Sequence, residues 1–515
     1  MTVVVWTLAS RVTGMLRVLL IGALMGPTFF ANIFQAGYVL PNTIHHVIAG
    51  PVLAGVLIPA IVRAFDSAGR GRAVELLGRI SGCILSVAGA GALGLCLLSP
   101  AVAWAFTAGV PDAERDRAWQ LAVILLLFVA PQIVGYAVVA LGVAAQQSQG
   151  RFALAAAAPA IENIGTIITV GLAASVYGVG LEVDRAPTGM MIMLGVGTTA
   201  AVVVHAGLQL YGAHKVGLLT RPTWGWRRDA EALAALRRVL WSVPVAVCPS
   251  VTNFVVTIVA ATVPGGVVVV QLSLQMYWAL SFLGARAVSI AALPRLASAA
   301  GESDPSTYAH ALRQGSFFAL AASLPSLCLL MTFAGPTANL LANGELRHGD
   351  LIGVLGACLT VVAFTQLSGG LYDFGRQALF ARLDKHGPAL ASTIGLIVGT
   401  TLAFAMYLLP ADGSRIVGLV IAMMFGETVP ALVVLMRLRR AIRPEPLTKP
   451  AYLRSAGAAV LAMAPVAAAG WLLLHQLRPE RIGELAVLVG CGACSLAIYL
   501  LVLRATGRKA GLELR

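Results

Sequence analysis

Charge is what this sequence has least of. Only 11% of its 515 residues are Asp, Glu, Lys or Arg, against 58% apolar residues, a balance no ordinary soluble domain shows. The groupings on which enzymes and primary pumps depend are missing too. No His, Asp, Glu or Cys cluster stands at metal-ligand spacing, no glycine-rich loop leads into a phosphate-binding lysine, and no polar stretch is long enough for a soluble catalytic domain. These absences argue against an enzyme and predict neither a resident metal nor an organic cofactor. The seven cysteines all lie in apolar runs and read as small buried residues; Cys491 and Cys494 form a CGAC without companion ligands.

What is present is apolar length. Runs of about 20 residues, enough to cross a bilayer, occur at 3–25, 30–62, 80–107, 119–145, 152–177, 188–212, 239–262, 266–294, 314–334, 351–375, 388–410, 415–436, 453–475 and 483–503. The expected fold is an all-α polytopic membrane protein with about fourteen spans. The first run has full spanning length and reads as a span rather than a cleavable leader. A basic amphipathic connector, 213–238, separates a first lobe of six spans (1–212) from a second (239–438), and two further spans and a tail follow (439–515). Weak internal similarity supports the division: Pro59 in AGVLIPAIVRAF and Pro294 in VSIAALPRLASA hold corresponding places before basic loops.

Base outnumbers acid, 36 residues to 22, for a net charge of +14. Its distribution argues for membrane topology and against nucleic acid. With the N-terminus inside, inner loops and tail hold 26 of the Lys and Arg residues and outer loops 7, leaving Arg11, Arg17 and Arg286 within spans. Both termini are expected in the cytoplasm, with anionic lipid headgroups as the partners of the basic loops.

Arg11 and Arg17 fall inside the first span. At 1.5 Å rise per residue, a helix starting near Val3 carries them roughly 12 and roughly 21 Å along an approximately 30 Å hydrocarbon core. Arg17 is too deep to snorkel. Six residues separate the two around the helix by about 120°, which suits the border of a wide cavity and a large anionic group better than a clamp on one small ion. Other polar groups at depth are Asn32, Gln35, His45, His46, Glu162, Asn163, His205, Asn253, Gln271, Gln275, Arg286, Asp373 and Glu427. Internal pairing competes with function at each. Glu162 and Glu427 are candidates either to neutralise an arginine or to carry a proton or cation, and His205 is read as packing.

The opening segment SRVTGMLR at 10–17 resembles the MurJ/MviN family of lipid II flippases, within the wider multidrug, oligosaccharidyl-lipid and polysaccharide exporter superfamily. So do LPN at 40–42 with the following VIAGPVLAGVLIPA, AALPRLA closing the eighth span, and FARLDKHGP at 380–388. The resemblance implies two lobes around a V-shaped central cavity in a bacterial cytoplasmic membrane. There, basic side chains meet the pyrophosphate of a polyprenyl-linked peptidoglycan precursor that crosses by alternating access. Carried over, it matches Arg11 and Arg17 to the family's paired first-span arginines; Asn32, His45, His46 and Gln275 fall at further family cavity positions, and Arg286, from its depth in the eighth span, joins them as a candidate for substrate binding. For coupling to Na+ or H+ it points to the position of Thr257; the polar groups Asn253, Glu162 and Glu427 are further candidates, and the membrane potential is another source of drive.

The chain departs from the family pattern where an aspartate is replaced by Asn32, an arginine pair by His45 and His46, an arginine near Gln275 and an acid near Thr257. Three alternatives therefore stay open: a flippase for another polyprenyl-linked glycan, a cation-coupled drug exporter, and a non-transporting scaffold for cell-wall synthesis proteins.

Overall fold

In a computed structural model the described residues are 2–52, 57–301, 305–348, 350–384, 386–477 and 479–509, without the side chains of 2–4, 45–52, 228, 231, 235, 238–244, 305 and 348. Among them there is no strand. The helices are α1 (Thr2–Met25), α2 (Phe29–Val52), α3 (Ile58–Thr107), α4 (Asp112–Val129), α5 (Gln132–Ser148), α6 (Ala153–Tyr177), α7 (Thr188–Lys215), α8 (Ala230–Ala260), α9 (Gly266–Leu283), α10 (Ala285–Gly301), α11 (Pro305–Leu341), α12 (Leu351–Ala381), α13 (His386–Ala405), α14 (Gly413–Ala441), α15 (Pro450–Leu477) and α16 (Arg481–Lys509). Twelve segments among the described residues are long and apolar enough to cross a membrane. Two of the fourteen expected spans remain: α2, described with side chains only in part, and α8, whose Val245–Ala260 is a shorter apolar stretch.

Several spans are broken where backbone chemistry requires it. The fourth divides into α4 and α5 at Pro131, which has no N–H to donate into the preceding turn. The eighth divides into α9 and α10 at Gly284, where a Cβ would stand 2.8 Å from the Ala322 carbonyl of α11. Within α3 the chain kinks at Gly69, with φ +75° and ψ −174°, a conformation that only glycine adopts without strain.

Two compact units are present: Met1–Val268 with Asn343–Gly349, and Val269–Ala342 with Asp350–Arg515. In the first, α1 packs on α6, α6 on α7, α5 on α7, and α2 on α4, α5 and α8. The connector 213–238 forms a short 3-10 turn, Gly225–Arg228, and then enters α8. Asp229 fastens this entrance: it is buried, accepts the N–H of Ala232 at 3.0 Å and binds Arg72 at 3.1 Å as well as Arg79.

In the second unit, α10 to α14 share one apolar core around Phe374, Leu379, Val434 and Leu438. The last two helices dock on α11, with Phe317 against Tyr452 and the Tyr499 hydroxyl donating to the Ala321 carbonyl at 2.7 Å. Elsewhere large apolar side chains such as Ile168, Val203 and Leu461 are exposed, an arrangement suited to lipid and unfavourable in water.

The FARLDKHGP segment gains a physical role here. Asp384 accepts N–H bonds from His386 at 3.1 Å and Gly387 at 2.9 Å, capping α13, and ties to Arg437 of α14 at 2.5 Å. Burial pushes its carboxyl up, but the Arg437 guanidinium and the two N–H groups outweigh this and hold it below its ordinary 3.8. A depressed carboxylate stabilises the fold above its unfolded pKa and loses that contribution as pH falls through its folded value. Asp384→Asn is therefore expected to melt below the parent in detergent at neutral pH, with the gap closing below pH 3.8; a gap independent of pH would remove the ionic role.

Candidate functional site

Arg17 lies on the side of α1 that meets α2 and α6. Its Nη1 donates to the Tyr38 hydroxyl at 2.8 Å and to Asn163 Oδ1 at 2.7 Å, and its guanidinium sits 4.8 Å from the centre of the Tyr38 ring. Asn163 in turn donates to the Ser10 carbonyl and the Thr13 hydroxyl, both at 3.2 Å, so its amide is fixed by the helix that carries the arginine. Among the described residues no carboxylate is within ion-pair reach of Arg17, and its buried Nε has no hydrogen-bond partner. Two hydrogen bonds to a charged donor contribute about 1.5–3 kcal/mol each. That offsets an insertion cost of about 2.5–3.5 kcal/mol for an arginine at mid-span. The charge is thus held without being cancelled. Arg11, earlier on the same helix, has an exposed side chain.

Glu162, next to Asn163 on α6, does not neutralise an arginine. Its Oε2 faces His205 Nδ1 of α7 at 2.6 Å, and its Oε1 accepts from the Tyr136 hydroxyl of α5 at 2.7 Å. Both members of the pair are buried. His205 is therefore a hydrogen-bonding partner of Glu162 as well as a packing residue. Gln209 approaches its Nε2 at 3.5 Å, and Gln146 donates to Gln209 Oε1 at 2.6 Å.

The remaining candidates divide by surroundings. Asn32 is wholly buried and its amide is engaged by the α8–α9 turn, donating to the Val263 carbonyl at 2.7 Å and accepting the Val267 N–H at 3.0 Å. It braces the fold. Thr257 donates its hydroxyl to the Asn253 carbonyl one turn back at 2.8 Å, while Asn253 Oδ1 is buried without a partner among the described residues. His45 and His46 fall on α2 outside the described side chains.

In the second unit Gln275 is half-buried on α9, and Arg286 of α10 sits 5.4 Å from the Trp278 ring. Arg376, one residue past the expected span 351–375, stands within α12 and pairs with Asp373 at 2.6 Å; Glu427 of α14 feels both charges. Among the described residues no group of three or more His, Cys, Asp or Glu could hold a metal ion.

A family profile described as "Lipid II flippase MurJ" matches residues 21–484. The chain belongs to the MurJ family. Relatives are distant. A "Lipid II flippase MurJ" of Burkholderia cenocepacia is 23% identical over 99% of this chain and 97% of its own length. A "Probable lipid II flippase MurJ" of Haemophilus influenzae is 24% identical over 45% of this chain, and the chain spans only 44% of that relative's length. The fold resembles a solved "Lipid II flippase MurJ, inward closed conformation" with a TM-score of 0.77 at 16% identity over 99% of both chains. An inward-facing multidrug resistance MATE transporter gives 0.63 at 17% identity over 86% of this chain and 96% of its own. Members of the MurJ family are membrane transporters, and the chain is multi-pass, as its composition requires.

Sequence reasoning singled out Arg17 and Glu162 but missed what holds them: Tyr38, Tyr136 and the pairing of Glu162 with His205. Nothing in a single sequence links residues 43 positions apart across two helices. The Arg376 pairing did leave a signal, an acid and a base three apart on a helical face.

If the uncancelled charge of Arg17 is what the site offers, placing an anion on its partner should silence it. Asn163→Asp is expected to reduce transport at least about tenfold, the loss corresponding to about 1.4 kcal/mol, while the melting temperature holds or rises. Retained transport in a proteoliposome flipping assay would show that the charge is not used.

Proposed function

We propose that this protein is a flippase that carries lipid II, the polyprenyl-pyrophosphate-linked peptidoglycan precursor, across the bacterial cytoplasmic membrane by alternating access. The observation that carries this reading is Arg17: a guanidinium deep in the first span, held by neutral oxygens, with its charge left for an anion from outside the protein. A pyrophosphate leaving water needs such a counter-charge, because burying it alone would cost far more than hydrogen bonding repays. Family membership over residues 21–484 supports the same cargo. Arg11, Arg286, Gln275 and the helix carrying His45 and His46 supply the other polar groups for the headgroup. Both termini lie in the cytoplasm on this reading, placing the basic loops against anionic lipid.

Asn253, Thr257, Glu162 and Glu427 are the candidates for coupling to Na+ or H+. The membrane potential, at about 2.3 kcal/mol per charge per 100 mV, is a further source of drive for positively charged helices. A second reading, another polyprenyl-linked glycan as cargo, is favoured by one observation. Asn32, where the family carries an aspartate, is occupied in the fold rather than offered to a ligand.

Replacing the essential lipid II flippase of a bacterial host with this chain separates the two. Growth is expected with the parent chain and loss of growth with Arg17→Ala at equal expression. Well-expressed parent protein that fails to support growth would exclude lipid II and favour the other glycan.

A further inference from the structure

Glu162 is the single acidic residue on α1, α2, α5, α6 and α7 together. It is buried, with its side chain 9% exposed and that of its partner His205 5% exposed. Their close approach is built in by small residues, since a Cβ on Gly165 of α6 would come within 2.7 Å of the Ala201 Cβ on α7. The bonds around the pair fix its protonation pattern. With His205 Nδ1–H donating to Oε2 and Gln209 donating to Nε2, every contact is satisfied by a neutral imidazole and an ionised carboxylate, a tautomer assigned from the network. The pair then carries one negative charge.

Two features make this more than a packing contact. First, the network leads outward: Gln209 joins Gln146, and Gln146 lines a cleft of about 420 Å³ with Arg151, Phe152, Gly212 and Val216 at the basic-loop end of α5, α6 and α7. Second, the neighbouring charge is Arg17, held by Asn163, the next residue after Glu162, and the fields of Glu162 and Arg17 meet at Tyr38. The titratable and charged groups facing the pair are Arg17 from α1, Tyr38 from α2 and Tyr136 from α5. Those of α4 are confined to its first six residues, 112–117.

Resting on the flippase reading, we propose that the Glu162–His205 pair is a proton-binding site whose occupancy sets how strongly the uncancelled charge of Arg17 attracts the diphosphate of the cargo. A proton from the cleft binds His205 Nε2, and the Gln209 amide turns to accept the new N–H from its oxygen. No covalent bond breaks, and the pair passes from one negative charge to none. Deprotonated, its negative field reaches Arg17, with which it makes no ion pair, and weakens the hold on an anion. Protonated, it leaves Arg17 uncompensated, so that diphosphate and proton bind together and, by linkage, each strengthens the other.

The test uses the full chain in nanodiscs with undecaprenyl diphosphate as probe. Infrared difference spectra from about pH 5 to about pH 9 should show a titrating carboxylate or imidazole that disappears in both Glu162→Gln and His205→Gln. Probe affinity should fall by up to about tenfold per pH unit above that transition. Addition of probe in weak buffer should take up about one proton in the parent and none in Glu162→Gln, whose affinity should be flat with pH. Arg17→Ala should lose the probe yet keep the infrared transition. Absence of any such transition in the parent, or probe binding with neither pH dependence nor proton uptake, would overturn the proton site and make the pair a static hydrogen-bonded contact. A transition present while the probe binds at no pH would overturn the flippase reading and with it the coupling.

Discussion

A guanidinium at membrane depth that is neither left bare nor cancelled is the constraint around which the first unit is arranged. Lipid cannot solvate Arg17, and a carboxylate would solvate it at the expense of its charge. The chain supplies neutral oxygens instead, Tyr38 from α2 and Asn163 from α6. Those partners must be held rigidly if they are to replace water. Asn163 is held by the Ser10 carbonyl and Thr13 hydroxyl, so α1 and α6 are registered by the same amide that solvates the charge.

Arginines elsewhere show that burial of a guanidinium alone says little about function. Among the described residues, several arginines expected in outer loops donate to backbone carbonyls: Arg115 to Val110, Arg117 to Ala186, Arg415 to Leu409 and Arg481 to Ala342. The carbonyls of Val110 and Ala342 lie just past the ends of α3 and α11, where peptide oxygens lack intrahelical partners and a cation is favoured. That local demand explains why these residues run against the topological bias of the rest. Arg313 pairs with Glu445, and Arg376 pairs with Asp373. Only the chemistry of the partner separates a charge held for the fold from one held for a ligand.

Hydropathy made most of the fold legible, because a span needs a long apolar run and little else produces one. What it could not show is where a span breaks. Pro131 divides α4 from α5, whereas Pro159 lies inside an unbroken α6, and nothing local in the sequence tells the two apart. Gly284 lies between α9 and α10 where a Cβ would stand 2.8 Å from the Ala322 carbonyl, a constraint that α11 sets and the local sequence does not. The apolar window 351–375 closes at the charge of Arg376, although α12 runs on to Ala381. Of the site, the depth of Arg17 and the rarity of acids were readable. The pairings were not, since hydrogen bonds between helices depend on rotation about their axes, and periodicity leaves that rotation undetermined.

That rotation matters most on α6. Consecutive residues of a helix point about 100° apart, so Glu162 and Asn163 face different neighbours from one turn. Asn163 looks to α1 and its arginine, Glu162 to α7 and its histidine. A turn of α6 about its axis therefore cannot loosen one contact without disturbing the other. Pro159, less than one turn before Glu162, removes a backbone hydrogen bond from that same region and makes it the place where α6 bends most readily. Charge and geometry are thereby joined in two adjacent side chains, which is the smallest arrangement by which the protonation of a buried pair can be felt at the arginine next to it.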